Sequence, residues 1–289
     1  MLPIKQSSQD YIRPETVVQH QNFLRHHTDP REPGSSLMDL RISGKRALVL
    51  GASRGLGAAI AHGLAAEGVN VLAAARTTGN SEISPLITRI AVDLADPDSV
   101  AVLKEQLHLQ GGIDILVNNS GGPKAGPAIN QSRQSWLSAF DAMAASIFEI
   151  TDAVLEGMIA RKWGRIIMIG SSGVQQPIAN LALSNSVRAA VAGWSKTLAA
   201  EVAGHGITVN MILPGRIDTD RVRELDHLQA ERNGKSLAAV QEASRQGIPA
   251  GRYGRPEEFA AVAVFLASEQ ASYVTGSQIR VDGGMIKGH

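Results

Sequence analysis

Cysteine is absent from the 289 residues, which excludes disulfides, thiolate nucleophiles and cysteine metal sites. Long apolar runs are missing too. None approaches the roughly 18 residues of a membrane span, and the N-terminus has no apolar stretch of signal-peptide type. Neither sign of charge is in excess: the formal net charge is +1 with no block of like charges, which argues against nucleic acid as the main partner. With 44% hydrophobic and 19% charged residues, the chain reads as a soluble globular protein, expected in the cytoplasm with no membrane partner and no metal site. Tyrosine is scarce. The 3 tyrosines are Tyr11, Tyr253 and Tyr273.

What is present divides near residue 38. Residues 1–37 are rich in Gln, His, Pro and Ser, and Pro14, Pro30, Pro33 and Gly34-Ser35-Ser36 interrupt any long element. They read as a flexible or loosely docked arm, the alternative being an oligomerisation arm carried by Val17, Val18, Phe23 and Leu24. Residues 38–289 read as a single domain in which apolar runs alternate with helical patterns. Strands are expected at Arg46–Leu50, Asn70–Ala75, Ile90–Val92, Ile113–Val117, Ile166–Ile169, Ile207–Ile212 and Gln278–Val281. This alternation predicts an α/β fold of Rossmann type, a doubly wound parallel seven-stranded sheet with helices on both faces and right-handed crossovers.

The first strand runs into Gly51-Ala52-Ser53-Arg54-Gly55-Leu56-Gly57, and a helix through Ala58, Ile60 and Leu64 follows. Glycines there permit a tight strand-to-helix turn and let main-chain N–H groups approach a pyrophosphate at the positive helix end. The second strand ends Ala73-Ala74-Ala75-Arg76, without the carboxylate that usually holds the ribose 2′-hydroxyl of NAD. Arg76, with Arg54, suits a 2′-phosphate instead, so NADP is expected and NAD is less favoured.

The Gly51-x-x-x-Gly55-x-Gly57 spacing resembles that of the short-chain dehydrogenase/reductase family, and the resemblance runs from about Leu40 to Gly284. Asp93-Leu94 is similar to the family's adenine-contacting pair, and Asn118-Asn119-Ser120-Gly121 to its N-N-A-G, with Ser120 in place of alanine. Pro214-Gly215-Arg216-Ile217-Asp218-Thr219 resembles the loop that holds the nicotinamide carboxamide, through backbone near Ile217 and the Thr219 hydroxyl. Val281-Asp282-Gly283-Gly284 completes the pattern. Within the family the chain looks most like 3-oxoacyl-(acyl-carrier-protein) reductases.

The resemblance also implies a catalytic set of asparagine, serine, tyrosine and lysine. Gly164–Ser171 is similar to the strand that leads into the serine, and Ala189–Gly193 to the helix after the lysine. The usual thirteen-residue step from Ser171 lands on Ser184, and four more residues reach Arg188. Seven residues past Trp136 stands Met143, which also continues the apolar stripe Trp136, Phe140, Met143, Ile147, Ile150, Val154, Met158 and is read as core. Ser184 and Arg188 share a helix face at i and i+4. A serine hydroxyl can hydrogen-bond a substrate oxygen, but its pKa lies far above the tyrosine value of about 10. Arginine stays protonated; Arg188 can hold a ribose or stabilise an oxyanion but cannot shuttle a proton.

Neither Tyr253 nor Tyr273 is placed to rescue the site, since both match positions remote from nicotinamide. His205 is expected to be exposed, and His227 and Lys124 are weaker pocket candidates. A lid is expected at about 220–249, broken into two short helices by Asn233-Gly234. The expected function is an NADP-dependent oxidoreductase acting on a carbonyl/alcohol pair, such as an acyl-thioester carbonyl substrate, with Ser171, Ser184 and Arg188 as its catalytic residues. The alternatives are a dinucleotide-binding sensor or partner subunit with little turnover, and a pocket reused for non-redox chemistry. The resemblance further implies a homotetramer or homodimer built on the helices around 134–161 and 181–203.

Overall fold

The computed structural model describes residues 38–77, 84–109 and 111–288; the arm expected over residues 1–37, with Tyr11, lies outside them. Among the described residues the strands are β1 (Arg46–Leu50), β2 (Asn70–Ala75), β3 (Ile87–Ala91), β4 (Ile115–Asn118), β5 (Gly164–Ile169), β6 (Ile207–Pro214) and β7 (Gln278–Val281). They form one parallel sheet in the order β3-β2-β1-β4-β5-β6-β7. The central strands β1, β4 and β5 are buried along almost their whole length, as a sheet covered on both faces requires.

Side chains alternate between two cores, the period-two rule of a strand. In β1, Ala47 and Val49 join one core while Leu48 and Leu50 join the other. The Ala47–Val49 side is covered by α1 (Gly55–Ala66) and α8 (Pro256–Ala267), through Ile60, Leu64, Phe259 and Ala263. On the opposite side lie α2 (Pro97–Leu109), α3 (Arg133–Phe140), α4 (Ser146–Arg161) and α5 (Ala182–Val202), which contribute Leu103, Ala139, Ile147, Val154 and Leu198. The segment expected as a lid holds α6 (Asp220–Asn233) and α7 (Leu237–Gln246), divided where Gly234 takes the left-handed φ of 61° that ends α6.

Two expectations need correction. The third strand is Ile87–Ala91 rather than Ile90–Val92, because β2 sets its register by pairing Val71 with Ile87 and Ala75 with Ala91. This edge strand carries Thr88 and Arg89 and has no unbroken apolar run to mark it. In the helical stripe, Met143, Ile147, Ile150, Val154 and Met158 are buried, but Phe140 is 41% exposed. A π-helical segment, Asp141–Ala145, sits between α3 and α4 and breaks the 3.6-residue phase at that point. Met143 lies in that segment at 3% exposure and is core.

Candidate active site

Parallel pairing brings the carboxyl ends of all the strands to one edge, and the order reverses between β1 and β4. That is where a doubly wound sheet opens a crevice. Gly51–Gly57 follows β1, Arg76 follows β2, Asp93-Leu94 follows β3, Asn119–Gly121 follows β4, Ser171 follows β5, and Gly215–Thr219 follows β6. The sheet thus places every expected site segment on the same edge, except Ser184 and Arg188, which α5 supplies.

The glycine turn is built around Asn119. Its amide donates to Leu50 O at 3.2 Å and Gly51 O at 3.3 Å, joining the ends of β4 and β1. Gly51 has φ of 62°, and a Cβ there would come within 2.6 Å of Asn119 O. A Cβ on Gly57 would come within 2.3 Å of Gly51 O, so neither position admits a side chain. Arg54 is the N-cap of α1, and its side chain makes no capping hydrogen bond. The N–H groups of that helix's first turn receive no cap from Arg54, and with the glycine cradle they can receive a diphosphate. The Arg54 side chain is 71% exposed and lies 3.5 Å from Asp220 of α6, a surface pair that contributes little by itself. Ser53 and Arg76 are exposed and Leu56 is half-buried. Asp93 accepts from Ala95 N at 3.0 Å, and Leu94 O accepts from the Ser146 hydroxyl at 2.6 Å.

The segment after β6 is held from two sides. Gly215 N donates to Val281 O at 2.9 Å, and a Cβ on Gly215 would come within 2.6 Å of the Asp282 Cα, which gives the Val281–Gly284 ending its packing role. Ile217 is 3% exposed, and the Thr219 hydroxyl caps α6 by accepting from Val222 N at 3.4 Å.

Ser171 begins a short turn by accepting from Gly173 N at 3.0 Å. Asn185, next to Ser184, ties that region to α5: its amide donates to Ile178 O at 2.8 Å and its carbonyl accepts from Ile178 N at 3.3 Å. A Cβ on Gly173 would come within 2.4 Å of Asn185 Oδ1, so the turn after Ser171 packs directly on the start of α5. The sequence reading missed this role of Asn185. Its signal was the glycine two residues past Ser171. Ser184 is half-buried.

Arg188 reaches under the crevice, donating to Ile169 O at 2.7 Å and Ser120 O at 3.1 Å, so it braces the ends of β5 and β4 together. Among the described residues no carboxylate pairs with it. Burial, with repulsion from Arg221, lowers its pKa to about 10, so it is charged at neutral pH. Arg221 itself crosses from the first turn of α6 to Pro123 O at 3.2 Å. The Ser120 hydroxyl is buried and, among the described residues, has no hydrogen-bond partner.

Lys124, His205, His227 and Tyr273 are exposed. Tyr253 is not idle: its hydroxyl donates to Asp226 Oδ2 at 2.8 Å, a contact between α6 and the loop before α8 that the sequence did not reveal. Burial raises the Tyr253 phenol above its ordinary pKa, opposed by the nearby Ser244 hydroxyl of α7.

This architecture, a parallel doubly wound sheet with a glycine cradle at its switch point, defines a dinucleotide-binding class of α/β protein. A family model described as enoyl-(acyl carrier protein) reductase matches residues 51–286. The chain is 38% identical over 252 residues to the 3-oxoacyl-(acyl-carrier-protein) reductase FabG of Vibrio cholerae, covering 85% of this chain and 99% of that one. It is 37% identical over 254 residues to the Escherichia coli FabG, with the same coverage. Among solved structures, L-sorbose reductase of Gluconobacter frateurii, complexed with NADPH and L-sorbose, has a TM-score of 0.79 at 33% identity, covering 87% of this chain and 100% of that one. YwfH, an NADPH-dependent reductase involved in bacilysin biosynthesis, has a TM-score of 0.77 at 31% identity, covering 86% and 100%. The chain belongs to the short-chain dehydrogenase/reductase family and is an oxidoreductase of that class.

Proposed function

We propose that the chain is an NADP-dependent oxidoreductase acting on a carbonyl/alcohol pair of 3-oxoacyl type, with Ser184 and Arg188 where the family has tyrosine and lysine. The observation that carries this reading is the uncapped glycine cradle flanked by Arg54 and Arg76, with no carboxylate at the end of β2. Two structural neighbours named for NADPH and the FabG relatives support the same cofactor and an acyl-thioester substrate. Bound NADPH supplies a hydride to the carbonyl carbon.

The remaining work falls to the chain. Gly51, Gly55, Gly57, Leu56 and Ser53 present main chain to the diphosphate, Arg54 and Arg76 take the 2′-phosphate, and Asp93 and Leu94 meet the adenine. Asn119, Ser120 and Gly121 line the ribose side, while Pro214, Gly215, Ile217 and Thr219 hold the carboxamide end. Ser171 and Ser184 hydrogen-bond the substrate oxygen, and Arg188 stabilises the charge that develops on it and holds the nicotinamide ribose. Without a tyrosine, the proton reaches the oxygen from water. Loss of a general acid slows such a step by about 10²–10⁴. We further propose a homodimer or homotetramer formed on α4 and α5. Half-exposed Phe140 meets Phe148 edge-on at 6.3 Å there, and Phe148 stacks on Trp194 at 4.2 Å.

A second reading is a dinucleotide-binding partner without useful turnover. It is favoured by the commitment of both terminal nitrogens of Arg188 to main-chain carbonyls. Titrating NADPH, then following its consumption across ketones and 3-oxoacyl thioesters, separates the two. Slow turnover supports the first reading; binding without turnover anywhere sinks it. The double change Ser184→Tyr with Arg188→Lys is expected to raise the reduction rate by about 10²-fold or more. A fall instead makes Ser184 and Arg188 an alternative catalytic pair.

A further inference from the structure

Asp226 lies in the middle of α6 at 0% exposure, which a carboxylate tolerates only when its oxygens are paired. Both are. Oδ1 accepts from the Arg216 guanidinium, and Oδ2 accepts from the Tyr253 hydroxyl at 2.8 Å. The two partners belong to chain segments that meet in a short parallel bridge, Ile217 with Gly254. Gly254 N donates to Arg216 O and Asp218 N donates to Gly254 O, each at 2.9 Å, so the two bonds bracket Ile217. Arg216 opens one segment of this bridge, and Tyr253 directly precedes Gly254 in the other. The carboxylate therefore clasps by side chains the same join that the main chain makes.

Packing leaves the join little freedom: a Cβ on Gly254 would come within 2.7 Å of Ile217 Cδ1. Gln229, one turn beyond Asp226, adds a contact of 3.5 Å to Arg216. A buried ion pair is weak as a source of stability, since apolar residues of similar volume often do as well. Its value lies in fixing register. Here the register fixed is that of the Arg216–Asp218 backbone against the lid.

We infer that Asp226 is a positioning residue that acts through Arg216 and Tyr253 to set the Ile217–Thr219 backbone for the nicotinamide end of the cofactor. This inference rests on the cofactor reading proposed above. It separates the two ends of the dinucleotide: Arg76 and Asp93, assigned to the adenosine end, follow β2 and β3, on the other side of the switch point from β6. Disturbing the clasp should alter recognition at one end only.

The test compares two probes on the full chain by calorimetry: NADPH, and 2′,5′-ADP, which has the adenosine and 2′-phosphate but no nicotinamide. Tyr253→Phe removes one hydrogen bond and keeps the ring; Asp226→Asn removes the charge at nearly constant volume. Each is expected to weaken NADPH by about 10-fold or more and to leave 2′,5′-ADP within about two-fold. Amide exchange at Asp218 and Gly254 should also accelerate in the free protein. Equal weakening of both probes, or of neither, overturns the inference while leaving the cofactor reading intact. Should Asp226→Asn not fold, Tyr253→Phe decides the matter alone, because its half-buried ring remains in place. If the unaltered chain binds neither probe, the cofactor reading falls and takes this inference with it.

Discussion

Two arginines reach opposite ends of β5, Arg165 buried and Arg188 half-buried, and they do different work. Arg165, at the amino end of the strand, is 1% exposed and fully served. It donates to Ser268 O, Gly164 O and Gly206 O, pairs with Glu269 at 3.1 Å, and lies against the Trp163 ring at 4.4 Å. Arg188 reaches the carboxyl end of the same strand, among the described residues hydrogen-bonds carbonyl oxygens alone, and has Arg221 as its charged neighbour. Burial lowers both pKa values, but at Arg165 the Glu269 carboxylate opposes the shift, whereas at Arg188 a second cation adds to it. A compensated buried charge holds a fold together. The half-buried one, whose hydrogen-bond partners among the described residues are neutral carbonyls, keeps a positive charge at the edge where a parallel sheet opens.

The strongest way to break this comparison is to remove each charge in turn. Arg165→Met strands three carbonyls and Glu269, and should cost about 3 kcal/mol in urea unfolding. Arg188→Met should cost about 1 kcal/mol or less, because it also removes a desolvated charge. It should nevertheless weaken NADPH binding by about 10-fold or more. Equal stability costs would erase the distinction. A second, smaller effect concerns the exposed arginines. Arg76→Ala should reduce the preference for NADPH over NADH by about 10-fold, with folding stability within about 0.5 kcal/mol of the parent. An unchanged preference would remove Arg76 from the site.

Much of this contrast was out of reach of the sequence. The strands were legible because buried parallel strands are apolar runs, and the glycine turn because Gly51 and Gly57 face backbone with no room for a side chain. Ser184 and Arg188 could be placed by counting from Ser171, since one helix carries both. What could not be read were joins between distant segments. Asp226 is ten residues from Arg216 and 27 from Tyr253, and no periodicity connects them. The same holds for Arg188 and the Ser120 carbonyl, 68 residues apart. Phe140 was misread because a π-helical segment shifts the phase of an otherwise continuous stripe.

Finer probes sharpen the comparison further. Among the described residues the Ser120 hydroxyl has no partner although its carbonyl serves Arg188, so Ser120→Ala should be neutral or stabilising by up to about 1 kcal/mol. A clear loss of stability would mean that the hydroxyl is engaged. Glu258, half-buried and paired with arginines, supplies a further contrast. Hydrogen bonds from Arg252 and from Arg255 N lower its carboxyl pKa from 4.5 to about 2. Its contribution is therefore present above the unfolded value of 4.5 and lost as pH falls toward about 2. A small stability difference between the parent and Glu258→Gln at pH 7 should vanish at the acid end of that window; a difference independent of pH would contradict the assignment.

The central claim is that the β1/β4 crevice is an NADP site whose deep cation is Arg188. Its most direct test is a fluorescence titration of NADPH and NADH into the full chain and into Arg188→Met. The account predicts saturable binding, NADPH favoured over NADH by about 10-fold, and both weakened in the variant. No binding of either nucleotide, or identical NADPH affinity in the parent and Arg188→Met, would contradict it.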